Sequence, residues 1–274
     1  MKRSIVPVAG LLTIGIMLAA GSDANAQWFR RERQPNADQS ASLWDGMQAP
    51  RRMIDAPTAG TLVRGSFDTE LRAFSRGGVL GILQVGLTDH WQIGLAYGGT
   101  EMISSVNPEW NPRMQFLTKV QLLSESMAFP AIAVGFEEQG FGVWIDSLHR
   151  YESKSKGFYA VVSKGYRGSG FTSSLHGGIN YSREDNDDDD IDFFAGADMR
   201  FNTNLGMVVE YDLGLNDDRP PRSLGRGRGY LNAGVRWTML ERLQMEASLK
   251  DLLTNRRSTK TVGRELRIIY VEKF

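Results

Sequence analysis

The chain has no cysteine, which rules out disulfides, thiolate metal sites and a lipid-modified N-terminal cysteine. It also lacks a charge bias. Lys and Arg together number 32 and so do Asp and Glu, so neither a nucleic-acid partner nor a polyanion sink is implied. Histidine occurs only three times, at His90, His149 and His176, which leaves little material for metal or general-base chemistry. Beyond the N-terminus no apolar run reaches the ~20 residues that a spanning helix needs. Any membrane residence must therefore be through strands. Mean hydropathy is low, at −0.31, but this is no objection, because only half of each barrel strand faces lipid. Glycine is abundant, with 30 residues among 274.

The N-terminus reads as a cleavable signal peptide over residues 1–26. Lys2 and Arg3 form a basic start, Ile5 to Ala20 an apolar core interrupted by Pro7, and Ala24-Asn25-Ala26 a small-x-small cleavage site. Cleavage leaves Gln27 first and moves the formal charge from zero to about −1. Residues 27–59 hold no sustained period and read as a mostly irregular periplasmic extension; Trp28 and Trp44 suit exposed linker aromatics better than rings tucked against or into the barrel, and the residues leave open whether the segment enters the lumen.

From residue 60 to 274 short segments alternate apolar with polar. In LGMVVEYDLGL, Leu205, Met207, Val209, Tyr211 and Leu213 share one face, and Gly206, Val208, Glu210 and Asp212 the other. Period-two patterning repeated this often means strands. An apolar face backed by charge suits a barrel with lipid outside and water inside. The expected fold is all-β, a transmembrane antiparallel barrel of about twelve strands with both termini periplasmic. The strands fall near 62–74, 78–87, 91–98, 113–123, 130–137, 157–166, 171–182, 191–201, 205–213, 230–238, 242–250 and 263–273. Short and long links alternate between them, as periplasmic turns and extracellular loops do. The tight link Ser75 to Gly77 is the exception.

Aromatic residues fit the same frame. Trp91, Phe171, Phe201, Trp237 and Phe274 sit beside short turns or the C-terminus, and Tyr97, Tyr181 and Tyr211 at the opposite strand ends. Such rings form girdles where headgroups meet hydrocarbon. The final strand, ELRIIYVEKF, sets Leu266, Ile268, Tyr270 and Phe274 on one face, a pattern that barrel-insertion machinery reads, with Glu272 interrupting the apolar column. Outer-membrane lipid and lipopolysaccharide are the other expected partners.

Strand parity directs a set of charges inward: Arg64, Asp68, Glu70, Arg72, Lys119, Asp192, Asp198, Arg200, Glu210, Asp212, Arg236, Arg242, Glu246, Lys250 and Arg267. Acids gather near 191–213 and bases near 236–267 and 62–74. Opposed walls of charge set a field across a pore; a network of cross-strand ion pairs that keeps a narrow barrel closed is the alternative. The loop 138–156 is long enough to fold back into the mouth, although its length equally suits an exposed loop. Glu184 to Asp192 is strongly acidic but lacks the Gly and distal Glu of an EF-hand, so a solvated loop is expected there. Gly225 to Gly229 (GRGRG) precedes a strand rather than a helix and reads as a flexible basic loop, not a phosphate cradle. His176 shares a face with Ser174, but i and i+2 on a strand stand about 6.5 Å apart, too far for a direct bond. No catalytic residue, cofactor or metal is expected.

One resemblance adds to this reading. The stretch Ile54 to Gly99, with Pro57-Thr58-Ala59, Gly65-Ser66-Phe67 and Val85-Gly86-Leu87-Thr88, resembles the opening of the YjbH-like outer-membrane proteins associated with exopolysaccharide production. PAIAVGFEEQGFG, the strand ending at Ser163-Lys164, Glu210-Tyr211-Asp212 and Leu249-Lys250-Asp251 are similar to further segments of that family. The resemblance implies a barrel supporting polysaccharide export. The residues alone also suit a small-solute porin or a plugged structural barrel.

Overall fold

The computed structural model describes residues 49–184, 190–202, 204–220, 222–239 and 242–274. The signal peptide, Trp28, Trp44 and most of the expected extension lie outside them. The described strands are β1 (Ser66–Phe74), β2 (Gly78–Thr88), β3 (Trp91–Thr100), β4 (Glu109–Trp110), β5 (Gln115–Leu123), β6 (Ala131–Glu137), β7 (Phe141–Ile145), β8 (Arg150–Ser153), β9 (Gly157–Arg167), β10 (Thr172–Tyr181), β11 (Asp192–Arg200), β12 (Leu205–Asp212), β13 (Tyr230–Met239), β14 (Leu243–Lys250) and β15 (Gly263–Lys273).

Twelve of these close into one antiparallel barrel. Each barrel strand pairs with the next in the chain, and β1 returns to β15 from Ser66↔Lys273 to Ala73↔Leu266. Closure leaves no edge, so every backbone donor and acceptor at hydrocarbon depth is satisfied within the sheet. The short β4 adds to β3, and β7 with β8 makes a separate hairpin inside the link 138–156. Both ends of the sheet lie at the short-turn end, as an even strand count requires.

Period-two patterning produces an inside-out burial. Leu71 is 51% exposed while its neighbour Arg72 has no exposed surface. Leu83, Leu95, Leu175, Val209, Val235 and Leu249 likewise face outward, and Asp68, Gln84, Gln92, Lys119, Glu210 and Arg267 are buried inside. A soluble sheet reverses this arrangement; only a lipid surround makes it favourable. The barrel is thus a transmembrane one.

The expected strand starting at residue 62 begins at Ser66 instead. The chain turns just before it, with Ser66 N–H donating to Val63 O (3.2 Å) and Gly65 at φ +71°. The tight link after β1 is a two-residue turn in which Arg76 and Gly77 both have positive φ, matching the twist of the flanking strands.

Candidate functional site

A twelve-stranded barrel is wider than the eight-stranded kind whose own side chains fill it. Here the remaining space is taken by the chain preceding β1. Residues 50–60 form a tight hairpin within the lumen, closed by Met53 N–H to Ala56 O (2.8 Å) and Thr58 N–H to Arg51 O (3.2 Å), with a bridge between Arg52 and Pro57. Met53, Ile54 and Ala59 have no exposed surface. They pack on an apolar strip of the inner wall made by Ala131, Ala133, Tyr159, Val161, Phe194 and Val208. The sequence read residues 27–59 as a periplasmic extension and left open whether they enter the lumen; the last of them lie inside the barrel. Their absence of period, which reads as irregular chain, is the character of a plug whose partners come from many strands.

Polar contacts fix this plug along its length. Glu210 Oε2 accepts from the backbone N–H of Ile54, Asp55 and Ala56 at 2.9, 2.9 and 3.0 Å. Lys119 Nζ donates to the carbonyls of Arg51, Thr58 and Gly60 at 2.8, 3.0 and 2.8 Å. Arg236 and Arg267 both donate to Met53 O, and Arg72 Nη2 donates to Ile54 O at 2.8 Å. Side chains of the plug answer in kind. Arg51 pairs with Asp68, Arg52 with Glu137, and Asp55 with Arg72 and Lys250.

Buried or half-buried inward positions of the barrel strands carry nine carboxylates (Asp68, Glu70, Glu137, Asp192, Asp198, Glu210, Asp212, Glu246 and Glu265) and six cations (Arg72, Lys119, Arg200, Arg236, Lys250 and Arg267). Seven of them form a cross-strand ladder over β13, β14, β15 and β1. In it Glu246 joins Arg236 and Arg267 (2.5 and 2.7 Å), Glu70 joins Arg72 and Arg267, and Glu265 joins Arg72 (2.9 Å) and Lys250 (3.5 Å). The ladder has one cation in excess, which Asp55 offsets. Off the ladder six carboxylates face Lys119 and Arg200, so the wall there is acidic. Cross-strand pairing thus holds over the ladder, while off it the carboxylates turn to the plug, to Lys156 and to His176. One expected lumen residue is corrected: Arg64 lies exposed before β1, its N–H on Asp89. Arg242 sits in the turn before β14, its side chain on Glu272 at 2.6 Å, at the mouth of the cavity that opens at the short-turn end. Both fall outside the strands, where parity does not apply. Glu137 and Glu265, which parity would have found, were overlooked.

His176 does not bond Ser174. Its Nδ1 lies 2.8 Å from Ser163 Oγ on β9, and its Nε2 lies 2.7 Å from Asp198 Oδ2 on β11. Ser163 Oγ accepts the backbone N–H of Ala59 at 2.9 Å, so this chain of three side chains also ends on the plug.

The long loops cover the opposite mouth. Phe141 at the start of β7 is 2% exposed and lies under three cations, with Arg72 4.1 Å, Arg52 5.1 Å and Lys250 5.4 Å from its ring centre. Arg150 pairs with Asp217 (2.5 Å), and Asp217 also accepts from the Tyr230 hydroxyl. Burial works against the charge on Arg150, but Asp217 outweighs it, and the guanidinium ends above its ordinary range. Glu184 accepts the N–H groups of Tyr151 (2.9 Å) and Ser155 (3.1 Å), and its burial pushes its carboxyl up. The loop 138–156 is therefore a lid and not the exposed loop its length also allowed. From the short-turn end a cavity of about 270 Å³ runs inward past Asp68 and Arg51 to Arg52 and Glu137.

The expected girdle residues Trp91, Tyr97, Phe171, Tyr181, Phe201, Tyr211, Trp237 and Phe274 all face outward. Tyr97 stacks on Trp110 at 5.5 Å, and Phe274 stacks on Phe67 at 6.0 Å. Residues 185–189 of the acidic run lie outside the described residues, and among the described residues no group of three or more ligating side chains could hold a metal. In the GRGRG loop the N–H groups of Arg226 and Arg228 donate to Asn255 Oδ1, so the backbone is engaged internally.

No family model matches the chain, and no curated protein does. Solved barrels do. A KdgM porin is 7% identical at a TM-score of 0.43, over 76% of this chain and 99% of its own. A NanC porin is 10% identical at 0.42, over 76% and 99%. Omp33 of Acinetobacter baumannii is 6% identical at 0.42, over 76% and 97%. At these values they bear on neither solute nor mechanism. The YjbH-like resemblance is corrected: no family model matches the chain, and the solved barrels found are named porins and channels, not members of that family, so the export role it implied has nothing behind it. The motifs that carried it are ordinary strand and plug chemistry, with Val85-Gly86-Leu87-Thr88 ending β2 and Pro57-Thr58-Ala59 lying in the hairpin.

Proposed function

We propose that the chain is an outer-membrane channel for small polar solutes, held shut by its own residues 49–62. The observation that carries this reading is the partnering of Lys119 and Glu210. A barrel sealed by its wall would satisfy its charges across strands, as the ladder does. Lys119 instead has three plug carbonyls, and Glu210 has three plug N–H groups beside Asn232. These are reversible contacts with an occupant whose withdrawal leaves a polar, water-compatible lumen. The fully buried Met53 and Ile54 favour a second reading, a permanently plugged structural barrel.

Planar-bilayer conductance separates the two. The mature chain is expected to stay mostly closed, and a variant with residues 50–60 replaced by a Gly-Ser linker to give ohmic steps. Heat-modifiable gel migration checks that the variant is folded. A folded variant that passes no current even when the lid residues 138–156 are also shortened would establish the structural barrel.

A further inference from the structure

The closed lumen holds two guanidinium groups that belong to the plug and not to the wall. Arg51 sits on Asp68, and Arg52 on Glu137. Both pairs border the cavity of about 270 Å³ that opens at the short-turn end, close to the ~300 Å³ at which small-ligand pockets begin. Building on the channel reading, we propose that Asp68 and Glu137 form a subsite for a cationic solute bearing a guanidinium or amine, and that Arg51 and Arg52 occupy it in the closed state.

The argument rests on what each wall group keeps when the hairpin leaves. Arg72 and Lys250 lose Asp55 but retain Glu265, and Arg72 retains Glu70 as well. The ladder is left with one cation in excess, but each of its four cations still has a wall carboxylate beside it and none is left bare for an anion. Asp212 keeps Lys156, and Asp198 keeps His176. Asp68 keeps only the Gln84 amide at 3.2 Å, and Glu137 loses its guanidinium. Lys119 and Arg200 are the wall cations on this side, against these two carboxylates and Glu210, so the surface stays net acidic. Two lumen carboxylates that have lost their counter-ions attract a cation, and planar guanidinium is the group whose donors match a carboxylate. The apolar strip beside it, now under Met53 and Ile54, accommodates the aliphatic part of such a solute.

Agmatine serves as the probe, with glutamate and the uncharged 1,5-pentanediol as comparisons, on the full mature chain carrying the linker in place of residues 50–60. Two readouts are taken: reversal potential and current block in bilayers, and calorimetric binding to the detergent-solubilised barrel. The expected result is a cation-favouring reversal potential and agmatine binding tighter than either comparison. In the D68N/E137Q variant that binding weakens by more than about tenfold, the scale seen when one side of a desolvated charge pair is lost. A conducting barrel that favours anions, or that does not distinguish agmatine from the diol, overturns the subsite while leaving the channel intact. So does binding unchanged by D68N/E137Q. A folded barrel that binds agmatine with the expected dependence yet never conducts upholds the subsite and overturns the channel.

Discussion

Replacing Glu210 by glutamine removes the charge from the one oxygen on which three plug amides converge, at 2.9, 2.9 and 3.0 Å. Hydrogen bonds to a charged group contribute about 1.5–3 kcal/mol each and neutral ones about 0.5–1.5. Three donors sharing one oxygen do not add in full, so the docked plug should lose about 2 kcal/mol. That is a rise of about thirtyfold in the ratio of undocked to docked barrel. Met53 and Ile54 stay buried in both proteins and continue to hold the plug by ~1.5–3 kcal/mol each, so the closed state should still dominate. Single-channel recording gives the ratio directly. Glu210→Asp, which keeps the charge but shortens the reach, should fall between the parent and Glu210→Gln. If Glu210→Gln and Glu210→Asp both show the parent's open probability while the linker variant conducts, the carboxylate does not hold the plug and the reasoning fails.

Lys119→Met leaves three plug carbonyls without their donor and should raise open probability in the same assay, at 1–3 kcal/mol per buried acceptor before water enters. Val209 faces outward in the middle of β12, so Val209→Arg should cost about 2–4 kcal/mol in reversible unfolding from lipid, whereas an unchanged midpoint would contradict a hydrocarbon surround there. Phe141→Ala removes the ring beneath Arg52, Arg72 and Lys250 and should speed amide exchange across β7 and β8 without altering heat-modifiable migration. Because burial raises the Glu184 carboxyl, the docked lid binds a proton more readily than the undocked one. Docking is then strongest below the ordinary carboxylate range and weakens as pH rises through it toward the raised value. Exchange at the Tyr151 and Ser155 amides, corrected for intrinsic rate, should accelerate over that window, and a flat profile would refute it.

The barrel was legible because each strand repeats a two-residue period, so that Leu71 and Arg72, or Val209 and Glu210, declare opposite faces from the sequence alone. The alternation of short and long links likewise fixed strand order, since hairpins join neighbours. Lumen charges within strands could be read from the same parity. Arg64 and Arg242 could not, because they sit in turns where the period stops. The hairpin β7–β8 went unread inside its loop: Phe141, Val143 and Ile145 do alternate, but strands of five and four residues are too short for the period to stand out.

What the sequence determined by itself was the two-faced sheet and its closure, because local alternation dictates which side chains meet lipid. Only the tertiary structure decided what fills the lumen. The hairpin at Met53–Ala56 has no periodicity of its own and is held by Lys119, Glu210, Arg236 and Arg267, residues 60 and more positions away in the chain. Contacts of that range depend on where the closed barrel brings its strands, which no window of sequence contains.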